Sequence, residues 1–278
     1  MEILDGKQAK IQILNSLKEE ILKLDTKLEL AVIQVGEDPA SSVYVRQKAK
    51  MAEMLGYRFN HIKLNENVEE EKLISLIDAL NRDRFTDGIL VQLPIPKHLN
   101  AKRIQNAISP LKDVDGLTDI NMGKLVHGVD SLVPCTPMGI VDLLDIYNIN
   151  LSGKNVTIVG RSDLVGKPLA SLLTNRNATV TLCHSKTNNL KEFTRLADIL
   201  VVAMGKPNYI TRDYVTEGSV VVDVGINRLE NNKLCGDVDF NSVAPISSFI
   251  TPVPGGVGPM TVAELAKNTY KAHILRKK

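Results

Sequence analysis

Short runs of β-branched residues alternate along this chain with longer amphipathic stretches, and that rhythm leaves few folds open. The runs at 155–159, 199–203 and 219–224 are nearly continuous in valine, isoleucine and leucine. A strand covered on both faces reads this way, whereas a strand with one wet face alternates. Between the runs, apolar residues recur at helical spacing, as at 69–80. Strand and helix taking turns predicts βαβ units, largely parallel sheets and an α/β fold.

The pattern predicts strands over 28–35, 59–64 and 89–93 in the first half, with helices over 11–24, 39–55, 69–80 and 101–108. Periodicity fades over 110–137, which reads as loop, and a connecting helix follows over 137–147. The second half reads as strands over 155–159, 179–182, 199–203 and 219–224 and helices over 167–173 and 190–196. A Gly/Pro-rich loop over 252–258 precedes a closing helix over 261–275. No internal repeat is visible. At about 150 residues per domain, 278 residues suggest two domains.

Composition narrows the function. With 34 Lys and Arg against 32 Asp and Glu, the net charge of +2 gives no field to hold nucleic acid. No apolar run nears the ~18 residues of a membrane span, and the N-terminus lacks the layout of a signal peptide. Three dispersed cysteines fit a reducing compartment and offer no zinc spacing. These features lead us to expect a cytoplasmic protein with no metal, membrane or nucleic-acid partner.

The sharpest local signal is VTIVGRSDLVG at 156–166, a strand, a turn and a helix start. Glycine lets the backbone turn tightly and approach a pyrophosphate, and the helix N-terminus offers free N–H groups to the anion. The G-x-S-x-x-x-G spacing departs from G-x-G-x-x-G by one serine and one residue. NAD sites usually place a carboxylate after the next strand. Here His184-Ser185-Lys186-Thr187 follows it. Arg161, Ser185 and Lys186 suit a 2′-phosphate, so NADP is preferred to NAD. A purely structural turn is the plain alternative.

On the helix predicted from residue 39, Tyr44 and Lys48 stand at i and i+4 and share a face. At an ordinary pKa, only on the order of one lysine in 10³ is neutral at pH 7. Work as a base needs burial or a neighbouring cation. Gln92 lies near the C-terminal end of a predicted strand, where ligands of open α/β sheets gather. Asp113 and Asp115 flank a valine, so one of them can face a cleft and hold an aminopyrimidine edge. Surface snorkelling of Tyr44 and Lys48, and turn-capping by the aspartates, remain open.

Ten segments carry more together than apart: SSVYVRQKAK (41–50), DGILVQLPIP (87–96), KDVDGL (112–117), PCTPMGI (134–140), VGRSDLVGKPLA (159–170), ATVTLCHSKT (178–187), ADILVVAMGKP (197–207), VVVDVGINR (220–228), GDVDF (236–240) and ITPVPGGVGPMTVAEL (250–265). In these segments and their order, the chain resembles the bifunctional methylenetetrahydrofolate dehydrogenase/methenyltetrahydrofolate cyclohydrolase family, the FolD type. The resemblance implies two α/β domains with a cleft between them. An N-terminal catalytic, folate-binding domain would span 1–138, closed by the C-terminal helix 261–278. A Rossmann-like NADP-binding domain with a parallel sheet would span 139–260, and a homodimer would form through it. The implied reactions are NADP-dependent oxidation of 5,10-methylenetetrahydrofolate to the methenyl cation and hydrolysis of that cation to 10-formyltetrahydrofolate.

Carried over residue by residue, the resemblance makes Lys48 the proton-transfer group of hydrolysis and Tyr44 the platform for the aminobenzoate ring. Gln92 would orient Lys48, and Asp115 would hold the pterin. Val45, Arg46, Gln47, Val91 and Leu93 fall in the substrate-binding segments, and Pro254, Gly255 and Gly256 form a loop that brings folate and nicotinamide together. Gly160, Arg161, Ser162, Val165, Ser185 and Ile226 would contact the cofactor, with Cys135 and Thr136 beside its nicotinamide. The chain departs from the family at Leu117-Thr118-Asp119, where a Phe-His-Pro type segment is usual, so a histidine contact to the neighbouring loop is missing.

Three other readings share parts of this pattern. A monofunctional dehydrogenase would not need Lys48 with Gln92. A shikimate- or glutamate-dehydrogenase-like enzyme would not predict the PGGVGPMT loop. A dinucleotide sensor would have no use for Tyr44, Lys48, Gln92 and Asp115 together. The five histidines stand singly and read as surface or hydrogen-bonded groups, His184 being the nearest to a site residue. Arg276-Lys277-Lys278 reads as a solvated tail.

Overall fold

The β-branched runs become the strands of two separate parallel sheets in a computed structural model, which describes residues 1–277. The first half carries β1 (Glu2–Ile3), α1 (Gly6–Ile21), β2 (Glu29–Val35), α2 (Pro39–Leu55), β3 (Arg58–Leu64), α3 (Glu70–Arg82) and β4 (Gly88–Val91). Then come α4 (Ala101–Asn106), α5 (Asp119–Val126), α6 (Cys135–Ile146), β5 (Asn155–Val159), α7 (Gly166–Asn175), β6 (Thr179–Cys183) and α8 (Leu190–Arg195). The chain ends with β7 (Ile199–Val202), β8 (Val220–Asp223), β9 (Asn227–Arg228), β10 (Leu234–Cys235), α9 (Phe240–Val243), β11 (Phe249–Ile250) and α10 (Val257–Lys277). Two compact units result. One joins Met1–Ile11 with Thr136–Thr261, and the other joins Gln12–Cys135 with the residues from Val262 on.

The unit built on residues 12–135 has a three-stranded sheet in the order β3-β2-β4, parallel throughout. Successive strand side chains point to opposite faces. Leu30 and Val32 of β2 therefore join Leu14, Leu17, Met51, Leu55, Leu265 and Ala266 in one core. Ala31, Ile33 and Val35 join Leu73, Ile77, Leu80 and Ile104 in another. Both faces being covered explains why β2 reads from Leu30 on as an apolar run interrupted only by the buried Gln34. Each fully buried side chain of this size stabilises the unit by roughly 1.5–3 kcal/mol. At the start of α2, Asp38 Oδ2 accepts from the Ser41 N–H at 2.6 Å. Gly56, at φ +74°, ends that helix in the left-handed region.

The other unit holds a six-stranded sheet in the order β1-β11-β8-β7-β5-β6, every pair parallel. β1 pairs with β11 through Glu2 with Phe249 and Ile3 with Ile250. The first eleven residues are thus packed with the second half, a departure from the division expected at 138/139. A two-residue strand has no periodicity to read.

Three further boundaries differ from expectation. α1 starts at Gly6 rather than 11, because Asp5 Oδ1 accepts from the Lys7 and Gln8 N–H groups at 2.8 and 3.1 Å. The expected loop 110–137 contains α5, opened by Thr118, whose Oγ1 accepts from the Asn121 N–H at 3.4 Å. α10 begins at Val257, inside the Gly/Pro-rich stretch. The C-terminal tail is also less free than expected. Arg276 pairs with Asp87, whose Oδ1 also meets His273 Nδ1 at 2.8 Å. Lys278 lies outside the described residues.

Candidate active site

Helix α2 presents Tyr44 and Lys48 from one face, as their spacing predicts. Lys48 Nζ donates to Gln92 Oε1 at 2.7 Å, and Gln92 Nε2 donates to Leu93 O at 2.7 Å. An ammonium only donates and a carbonyl only accepts, so the Gln92 amide has one satisfied orientation. Gln92 sits just past the end of β4 and is 8% exposed. The strand expected over 89–93 ends at Val91, although the Gln92 N–H still donates to Ile33 O at 2.8 Å.

Three titratable groups share this neighbourhood. Burial pushes the Lys48 ammonium below its ordinary range, while the Asp115 charge draws it back up. Burial pushes Asp115 up, and Lys48 is the strongest influence drawing it down, with the Cys135 thiol also lowering it. The Cys135 thiol is pushed well above its ordinary range, first by burial and then by Asp115. Its Sγ donates to Val114 O at 3.3 Å. A lysine held this way surrenders its proton more readily than one on the surface.

The two aspartates of the KDVDGL segment divide their work. Asp113 is buried, and its Oδ2 accepts from the Thr118 N–H at 2.8 Å and from Asn121 Nδ2 at 2.9 Å. It anchors the start of α5, in the region where the family's histidine is missing. Asp115 is the one whose charge acts on Lys48. Tyr44 is 39% exposed. Arg46 and Gln47 are exposed and Leu93 half-buried, whereas Val45 and Val91 are core residues with buried side chains. Cys135, expected beside the nicotinamide, lies in the same unit as Asp115 and Lys48 and interacts with both.

In the other unit, the turn from β5 to α7 needs its glycines. Gly160 has φ +131°, and a Cβ there would stand 2.1 Å from Ala203 O. A Cβ on Gly166 would stand 1.9 Å from Gly160 O. Ser162 Oγ accepts from the Val165 N–H at 3.1 Å, while Arg161 and Ser162 are exposed. Ser185 is exposed beyond β6, and residues 184–187 bring no carboxylate. Ile226, beyond β8, is 48% exposed. Thr136 and Thr261 hydrogen-bond through their hydroxyls at 3.0 Å. In the Pro254-Gly255-Gly256 loop, the Gly256 N–H donates to Pro252 O at 2.8 Å, and Gly6 packs so closely that a Cβ on it would overlap Gly256 O. A glycine cradle before a helix N-terminus, with exposed donors and no carboxylate at 184–187, fits a dinucleotide bearing a 2′-phosphate. The Asp163 carboxylate inside the turn is paired with Lys167 at 2.5 Å.

Two buried aspartates frame the loops beyond β7 and β8. Asp237 accepts from the Met204, Gly205 and Lys206 N–H groups at 2.7–2.9 Å. Asp223 accepts from the Gly225, Asp237 and Val238 N–H groups at 2.9–3.0 Å, and burial pushes its pKa up to about 6. The GDVDF segment does not reveal this role in sequence, since main-chain partners leave no mark in side-chain spacing.

Two family models match the chain. The model of the tetrahydrofolate dehydrogenase/cyclohydrolase catalytic domain covers residues 4–115, and that of the corresponding NAD(P)-binding domain covers residues 134–277. The chain belongs to the tetrahydrofolate dehydrogenase/cyclohydrolase family. A Campylobacter hominis relative, named bifunctional protein FolD, is 54% identical over 275 residues, 98% of this chain and 97% of its own. The crystal structure of bifunctional FolD from Campylobacter jejuni is similar at a TM-score of 0.97, with 48% identity and 99% of each chain covered. The Trypanosoma brucei enzyme, solved with NADP and an inhibitor, gives a TM-score of 0.94 at 34% identity, covering 99% of this chain and 98% of that one. Within this family frame, α5 falls between the two matched segments.

Proposed function

We infer that the Tyr44, Lys48, Gln92 and Asp115 cluster holds the folate substrate and carries the proton chemistry. The chain is an enzyme of one-carbon metabolism that uses NADP, with methylenetetrahydrofolate dehydrogenase and methenyltetrahydrofolate cyclohydrolase activities. When bound, NADP supplies a hydride acceptor. Gly160, Gly166 and the α7 N-terminus would receive its diphosphate, and Arg161, Ser162 and Ser185 its 2′-phosphate end. Val165, Thr136, Ile226 and the Pro254-Gly255-Gly256 loop would line its path. Hydride transfer needs orientation and dryness rather than an acid or base.

Hydrolysis needs a base. Water oxygen bonds to the methenyl carbon, and Lys48 takes one proton from it. The carbon–N5 bond then breaks, the second proton ends on N5, and the formyl group stays on N10. The substrate is a cation, which disfavours the ammonium form of Lys48 further. Gln92 Oε1 holds Nζ in place, Tyr44 offers its ring face, and Asp115 accepts from the aminopyrimidine edge.

The observation that carries this reading is the 2.7 Å Lys48–Gln92 contact in a setting that pushes the lysine down. The test is a spectrophotometric assay of the purified chain with methylenetetrahydrofolate, run with NADP and NAD in parallel. The expected result is rapid reduction of NADP followed by enzyme-dependent decay of the methenyl absorbance. Methenyl accumulation without accelerated decay would remove the hydrolytic role.

We also propose a homodimer formed through the nucleotide-binding unit and a cytoplasmic site of action without nucleic-acid partners. The edge position of β6 in its sheet, the net charge of +2 and three free cysteines support this reading. Among the described residues, no helix is long and apolar enough to cross a membrane.

A further inference from the structure

Helix α10 packs an apolar face, Val262, Ala263, Leu265, Ala266 and Ala272, into the core of its unit. One amide interrupts that face. Asn268 is 7% exposed, and its Nδ2 donates to Val114 O at 2.9 Å and to Val133 O at 2.8 Å. The same nitrogen lies 3.6 Å from Cys135 Sγ. Val114 immediately precedes Asp115 and accepts from Cys135 Sγ, and Cys135 interacts with both Asp115 and Lys48.

The two segments that Asn268 ties together are already in close backbone contact. Gly116 has φ +71°, and a Cβ on it would stand 2.4 Å from the Val133 carbonyl carbon and 2.6 Å from Pro134 N. Without Asn268 the half-buried Val133 carbonyl would lose this side-chain partner, and Val114 O would keep only the longer contact from Cys135 Sγ at 3.3 Å. An acceptor left unmet out of water is costly. One carboxamide with two N–H groups satisfies both.

We propose that Asn268 is a positioning residue for the folate site. It fixes the turn that carries Asp115 against the segment that carries Cys135, and so sets where the Asp115 carboxylate stands relative to Lys48. The inference rests on the reading that Asp115 binds substrate. It makes the C-terminal helix part of the folate site's scaffold without touching the substrate.

The test compares Asn268→Leu, which keeps the shape and loses both donors, with Asn268→Ser, which keeps one donor, and with Asp115→Asn. Steady-state kinetics and thermal unfolding are measured on each purified variant. Asn268→Leu is expected to raise KM for methylenetetrahydrofolate about 10- to 100-fold, with KM for NADP within about twofold of the parent chain. Asn268→Ser should fall between the two. A fall in kcat alone that tracks the folded fraction, with both KM values unchanged, would overturn the proposal and leave Asn268 merely structural. If Asn268→Leu does not fold, Asn268→Ser is read by the same criterion. Asp115→Asn separates the layers. Unchanged folate KM there would sink the substrate-binding reading itself, whereas a raised KM there beside an unchanged one in the Asn268 variants would sink the positioning role alone.

Discussion

A carboxylate beyond β6 would repel a 2′-phosphate, and residues 184–187 have none. Arg161 is the exposed cation in the glycine turn. Arg161→Ala should therefore weaken NADP by about 1.5–3 kcal/mol, the value of a charge-assisted contact, and leave NAD nearly untouched. Equilibrium titration with both nucleotides checks this, and an unchanged NADP/NAD ratio would contradict it. Asp223 makes a second prediction. Burial lifts it from 3.8 to about 6, so the folded chain holds a proton there that the unfolded chain has released. Its contribution to stability is present below about pH 4 and is lost as pH rises to about 6, by roughly 3 kcal/mol. Urea unfolding of the parent chain and of Asp223→Asn should show their difference changing by this order across that window, and a pH-independent difference would contradict it. At this scale the sequence marked Tyr44 with Lys48, because a helix puts i and i+4 on one face. It pointed to the Lys48–Gln92 contact only through the family resemblance, since the partners lie 44 positions apart. Asn268 was less legible still: its acceptors are main-chain carbonyls, which every residue has.

At the scale of elements, legibility followed length. β7, β8 and β5 from Val156 on are buried and read as apolar runs interrupted only by Thr157 and Asp223, so their existence was plain. β1 and β11 have two residues each and exist only by pairing with each other and with β8. α5 was hidden because its eight residues bury only Asn121 and Leu125, too few for a helical period to show. The C-terminal end of α10 is tied by Asp87, which meets His273 and Arg276 with one oxygen and accepts the Glu29 N–H with the other at 2.8 Å. Removing one partner from a buried pair leaves an uncompensated charge, which costs about 3–5 kcal/mol. Asp87→Ala should lose stability of that order in urea unfolding. A loss under about 1 kcal/mol would mean the tail is as loosely held as its basic sequence suggests.

At the scale of the whole molecule, the α/β class and the presence of two units followed from alternation and length. Their membership did not. The first eleven residues join the nucleotide-binding unit, and the residues from Val262 on join the folate unit, because pairing and packing partners far along the chain decide it. The central claim is that one chain performs both reactions and that Lys48 serves the second. The most direct measurement follows NADP reduction and methenyl absorbance together in one progress curve, for the parent chain and for Lys48→Met. The account predicts that the parent reduces NADP and clears the methenyl product, while Lys48→Met still reduces NADP and lets that product accumulate. Clearance by Lys48→Met at the parent's rate would contradict it.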